Sequence, residues 1–333
     1  MKKLLVAVLV GAALWSGYWF IGAQKTKSEL NNWLAARADE GWQVEVSDFD
    51  LAGYPNRFDT TFEDVQLTDP ETGWSWSAPF FQLMSLSYQP NHIIAVWPNT
   101  QTFATPERRI DIASQKMNAS MVVAPSETLD LRRATLIMDD ATFASTDGWT
   151  TGFRTLNAAI RETEGTPLSY DIAVTADQVQ PGEPLRKLLD QGGTLPGIIE
   201  GLTVDVVAGF SEPLSKLTIE EARPDITSLT LNKVEGSWGE LNIRLAGDLE
   251  VSSDGTPTGD IKLNARNWRE MIRMAVESGA LNESLASSVE LGLGLFSGTS
   301  GGENSIDVTV SFRSGGMYIG PIPFGDAPKL VLR

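Results

Sequence analysis

Residues 51–74 read LAGYPNRFDTTFEDVQLTDPETGW, and the periodicity of this stretch decides the fold. Phe58, Thr60 and Phe62 occupy alternate positions, and the run closes in an acidic turn beside Trp74. Period-two alternation belongs to a strand with one face in a core and one in water. Ahead of it, Gly53 can adopt a positive φ, Pro55 fixes the turn and Arg57 enters the strand. Arg57 has Asp59 and Asp64 close by in sequence, which predicts an ion pair fixing the strand end.

The same alternation returns along the chain. It is found at Val44 and Val46, at Met117, Ala119, Met121 and Val123, and at Tyr170, Ile172 and Val174. It recurs at Val204, Val206 and Ala208, at Leu241, Ile243 and Leu245, and at Ile306, Val308, Val310 and Phe312. About a dozen such runs are too many for an α/β barrel with intervening helices. Helical spacing is confined to a few places. Leu30, Trp33 and Leu34 predict a helix over Ser28–Glu40, with Ser28 as N-cap and Gly41 as its stop, continuing or closely following whatever precedes it. PGEPLRKLLDQGG puts Leu185, Leu188 and Leu189 on one face. NWREMIRMAVESG opens on Asn267 with Glu270 three residues on, a capping-box pattern. LNESLASSVELGLGLF suits a helix or a strand equally, and SGTSGGENS (297–305) reads as a linker. The expected fold class is α+β, mostly antiparallel β, with an N-terminal transmembrane helix and then an elongated curved sheet with a few covering helices.

The first 24 residues carry Lys2 and Lys3, and from Leu4 to Gln24 there is no charge. Twenty-one residues make a helix of about 30 Å, enough for a hydrocarbon core. Trp15, Tyr18, Trp19 and Phe20 crowd its far end, where an aromatic belt belongs. The competing reading is a cleaved signal peptide, but its apolar region is usually about 7–15 residues, and Ile21 occupies the −3 position of a cut after Ala23. Residues 1–24 are therefore expected to be a membrane anchor (or signal peptide) and 25–333 a periplasmic β-rich domain. Any division of that domain would give sub-halves near 25–180 and 181–333.

Lys plus Arg is 26 and Asp plus Glu is 43, for a formal charge of −17. The two lysines of residues 1–23 face no acid there, so the remainder carries −19. Such a surface repels phosphate backbones, which excludes nucleic acid as a partner. There is no cysteine and one histidine, His92. Thiolate chemistry and Cys-ligated zinc are therefore absent, and His92, between a Pro-Asn turn and an apolar strand, reads as a turn hydrogen-bonding residue. The doublets Asp139–Asp140 and Glu220–Glu221 point to opposite faces if they lie in strands, so neither forms a carboxylate pair locally. DGTPTGD (254–260) reads as a hairpin turn rather than a calcium loop. No catalytic, cofactor-binding or metal-binding residue is expected.

GYPNRFDTTFEDVQL, WSAPFFQLMSLSYQPNHIIAVWP and the closing GGMYIGPIPFGDAPKLVLR together resemble the bacterial domain-of-unknown-function family 2125, which is regarded as distantly AsmA-like. Gly53, Tyr54, Pro55, Arg57, Pro90, Asn91 and His92 carry the resemblance and are expected to be structural. The resemblance implies an inner-membrane protein with its body in the periplasm and a non-enzymatic role in envelope assembly or lipid handling, with lipid in an apolar groove. A chain of this length is too short to bridge two membranes. The alternatives are an extracytoplasmic carbohydrate-active enzyme or sugar binder using acids and Trp, and a structural protein-interaction module.

Overall fold

The computed structural model describes residues 1–220, 223–279, 281–297 and 304–332. Strand makes up 51% of it and helix 21%, and the described pairings are antiparallel, as the repeated period of two requires. The stretch read as a linker falls, at 298–303, outside the described residues, as does Glu221.

The chain divides into two compact units. The first comprises residues 1–122 and 141–148, the second 123–140 and 149–333. The first unit opens with α1 (Lys2–Asp39), followed by β1 (Gln43–Glu45), β2 (Asp48–Ala52), β3 (Arg57–Thr68), β4 (Ser75–Leu86), β5 (Gln89–Val96), β6 (Thr100–Ala104), β7 (Arg109–Ala113) and β8 (Lys116–Val123). β9 (Leu131–Ser145) begins in the second unit and ends in the first. Asp140, the last residue before it passes over, has a φ of +45°.

In the first unit β3 is central. It pairs with β2 from Asp48↔Glu63 to Ala52↔Asp59, and with β4 from Arg57↔Leu86 to Thr68↔Ser75. β4 then pairs with β5 near its end and with β6 near its start. Phe58, Phe62 and Val65 of β3 are buried, as is Leu51 of β2. α1 is one unbroken helix, so Ser28 is an interior residue rather than an N-cap, and the helix stops where Gly41 turns with φ +93°.

The second unit is a meander of consecutive antiparallel neighbours: β10 (Thr150–Glu162), β11 (Ser169–Val179), β12 (Ile199–Phe210), β13 (Ile226–Trp238), β14 (Leu241–Val251), β15 (Pro257–Arg266), β16 (Ser305–Arg313), β17 (Gly316–Ile319) and β18 (Ile322–Asp326). Short helices interrupt it: α2 (Glu183–Leu189) and α3 (Lys216–Glu220), then α4 (Trp268–Glu277) and α5 (Glu283–Ser297) between β15 and β16. Val206, Leu231, Leu249 and Ile261 form one inward row across β12–β15. Trp268, Val289 and Leu293 of α4 and α5 pack on Ala265, Ile306, Val308, Val310 and Ile319. DGTPTGD joins β14 to β15, with Asp254 accepting from Ser252 Oγ at 2.7 Å, Thr256 N at 3.1 Å and Lys329 Nζ at 2.6 Å.

Candidate functional site: an aromatic collar and an apolar cavity on the first helix

Two turns of the first unit close on α1 at the end of its apolar run. The β2–β3 turn is Gly53–Asn56, and Tyr54–Pro55 is a cis peptide. Four residues of one helix segment, Trp15, Ser16, Tyr18 and Trp19, hold the turns. Trp15 Nε1 donates to Pro55 O at 2.9 Å, and Trp19 Nε1 donates to Arg57 O at 2.8 Å. Ser16 Oγ and Tyr54 OH lie 2.7 Å apart, and Tyr18 OH donates to Ser87 O, in the β4–β5 turn, at 2.6 Å. Ser87 N in turn donates to Asn56 O at 2.8 Å, tying the turns to each other.

Ring packing fills the space between these bonds. Tyr54 meets Trp19 edge-on at 5.4 Å and stacks on Phe20 at 5.7 Å, while Trp19 lies 5.9 Å from Phe58. Trp19, Ala23, Leu51 and Phe58 are buried together. Gly22 allows the approach, because a Cβ there would stand 2.7 Å from Phe58 Cζ. Burying Trp19 and Phe58 contributes about 2–3 kcal/mol each.

Of the residues that carry the family resemblance, Gly53, Tyr54, Pro55 and Arg57 belong to this collar. Arg57 Nε donates to Asp59 Oδ1 at 3.0 Å, the ion pair anticipated at the strand end. Pro90, Asn91 and His92 lie instead at the start of β5, Pro90 exposed and the other two half-buried. His92 Nε2 and Ser120 Oγ, on β8, are 2.8 Å apart, a strand-to-strand link.

The second half of α1 continues the same stripe. Trp15, Trp19, Ala23, Leu30 and Leu34 recur at intervals of four and seven, one helix face. Beyond the collar this face roofs a cavity of about 290 Å³ lined by Leu30, Trp33, Leu34, Val46, Phe62, Val65, Leu67, Trp76, Phe81 and Leu83. Every lining side chain is apolar apart from the indole nitrogens, and Trp76 Nε1 is engaged by Gln101 Oε1 at 2.7 Å. The volume lies at the lower edge of the small-molecule range. Leu30, Trp33 and Leu34 were legible as a helix face, whereas their partners on β3 and β4 were not, because side-chain period does not reveal which helix covers which strand.

Two other concavities differ in character. An open cleft of about 600 Å³ in the first unit includes Asp64, Gln101, Thr102, Arg109 and Asp111. Hydrogen bonds from Arg109 and from Thr102 hold the Asp111 carboxyl below the usual range, so these three groups are engaged with one another. In the second unit, about 580 Å³ lies under α4 and α5, with Trp268, Met271, Ile272 and Val289 among its walls.

The family model described as "Uncharacterized protein conserved in bacteria (DUF2125)" matches residues 19–328, so the matched segment begins inside the collar. No curated protein and no solved structure matches the chain.

Proposed function

We propose that this chain, which belongs to the DUF2125 family of uncharacterised proteins conserved in bacteria, is a non-enzymatic lipid-handling protein, anchored in the inner membrane with its body in the periplasm and AsmA-like in its service to the cell envelope. The observation that carries this reading is the apolar cavity on α1. The helix that is long and apolar enough to cross a bilayer is the same helix that roofs the cavity. From Ala23 to Leu30 the rise is about 10 Å, and Thr26 and Lys27, the latter paired with Asp50, occupy the face between them, so an acyl chain leaving the membrane crosses one polar turn of the helix before it reaches the apolar cavity. Lys2 and Lys3 favour a cytoplasmic N-terminus, and the body's negative charge suits a surface that keeps to the bilayer through apolar contact rather than through a basic patch. A cut after Ala23 would remove Trp15, Tyr18 and Trp19, whose N–H and O–H groups hold the collar, and this favours an uncleaved anchor.

The test is native mass spectrometry of the full chain, purified from membranes and exchanged through detergent. One phospholipid retained per chain is expected. Leu30→Trp combined with Leu34→Trp, which fills the cavity from the helix side and leaves the sheet untouched, should abolish retention. No lipid on the unaltered chain, or equal retention by the filled variant, overturns the reading.

A further inference from the structure

The collar places a length constraint on the anchor. The part of the apolar run that the body leaves free is Leu4–Leu14, which rises only about 16 Å. A bilayer's hydrocarbon core is about 30 Å thick. Residues 15–23, the remainder of the run, are the ones that hold the turns. A helix that crosses therefore carries the turns into the membrane with it.

The turns are suited to that position. Residues 53–56 (GYPN) and 87–90 (SYQP) contain no charge, whereas the β3–β4 and β6–β7 turns at the other end of the sheet carry Asp69, Glu71, Glu107 and Arg108. Tyr54 and Tyr88 are 54% and 57% exposed, and Phe20 and Ile21, on the neighbouring helix surface, are 62% and 73% exposed. Backbone carbonyls in a dehydrated layer need internal donors. Those of Pro55, Arg57 and Ser87 have them, each from an indole or phenol of α1.

We propose that the β2–β3 and β4–β5 turns are a second membrane-contact element, lodged below the headgroups of the leaflet where the apolar run of α1 emerges, with Tyr54 and Tyr88 facing lipid. Tyrosine, an apolar ring with a polar tip, suits the outer part of a leaflet, and the tip of Tyr54 is met by Ser16 Oγ. The proposal rests on the reading of α1 as a membrane-crossing helix.

The chain's lack of cysteine makes the test direct. Single cysteines at Leu9 (helix), Tyr88 (turn) and Glu71 (opposite turn) are nitroxide-labelled in the full chain, reconstituted in phosphatidylcholine vesicles. Collision with oxygen and with a water-soluble nickel chelate is then read by electron paramagnetic resonance. Labels at 9 and 88 should favour oxygen and lose nickel contact, while the label at 71 shows the reverse. A label at Gln89 repeats the measurement on the same turn if Tyr88→Cys impairs folding. Nickel contact at both 88 and 89 equal to that at 71, with 9 shielded, overturns the proposal and leaves the anchor standing. Nickel contact at 9 as well removes the anchor and the proposal together.

Discussion

At the scale of single residues, the collar depends on backbone geometry and on donors that sequence separation conceals. Gly53 has a φ of +102°, and a Cβ there would come within 2.7 Å of Arg57 O. Gly53→Ala is therefore expected to cost at least about 1–3 kcal/mol, seen as a lower melting temperature. Trp19→Phe keeps an aromatic ring but orphans Arg57 O, at about 1–3 kcal/mol; a melting temperature equal to that of the unaltered chain would remove the hydrogen bond from the argument. In the second unit, burial opposes the charge on Asp190, yet the N–H groups of Thr194 and Leu195, with Arg186, outweigh it and hold its pKa below the ordinary 3.8. A depressed carboxylate pKa stabilises the fold above the unfolded value, and the contribution is lost as the pH falls through 3.8 toward the folded value. Asp190→Ala should cost about 2 kcal/mol at neutral pH, and this difference from the unaltered chain should shrink in unfolding measured below pH 3.8. The turn chemistry of Gly53–Arg57 was legible in the sequence. Its docking on Trp15 and Trp19 was not, since those pairs lie 40 and 38 residues apart and no local pattern encodes a contact at that distance.

At the scale of elements, the two periods identified most of the secondary structure, and the departures have physical causes. The run with Leu291, Leu293 and Leu295 fits strand alternation, yet it lies in α5, where Val289 and Leu293, four apart, pack beside Trp268. Asn267 does precede α4, but in a left-handed conformation, and its side chain donates to Glu240 O at 3.0 Å instead of capping the helix. A tertiary acceptor displaced the local one that the capping-box spacing suggests. α1 is where the element itself can be tested. Lys25 is exposed, between the collar and the cavity roof. Lys25→Pro removes a helix hydrogen bond and clashes with the preceding turn, at about 3 kcal/mol. Lys25→Ala should stay within about 0.5 kcal/mol of the unaltered chain. Chemical denaturation of both variants separates the continuity of the helix from the charge at that position.

At the scale of the whole molecule, each unit has its own buried cluster, and α1 belongs to the core of the first. Deleting residues 2–14 should leave a folded body, because the retained segment still supplies Trp15, Trp19, Leu30 and Leu34. Deleting residues 2–40 uncovers Leu51, Phe58 and Phe62, and should yield aggregates in sedimentation velocity. If the longer deletion stays monomeric with an unchanged near-ultraviolet spectrum, α1 is dispensable to the core. The unbroken path of α1 has a mechanical consequence. Its 38 residues form a rod of about 57 Å, clasped to the sheet partway along, with no hinge between the apolar N-terminal part and the clasp. Apolar helices lean over when the bilayer thins. With α1 crossing a bilayer as proposed, the lean cannot be absorbed at a joint, so the first unit swings with it, as a pointer swings with its shaft.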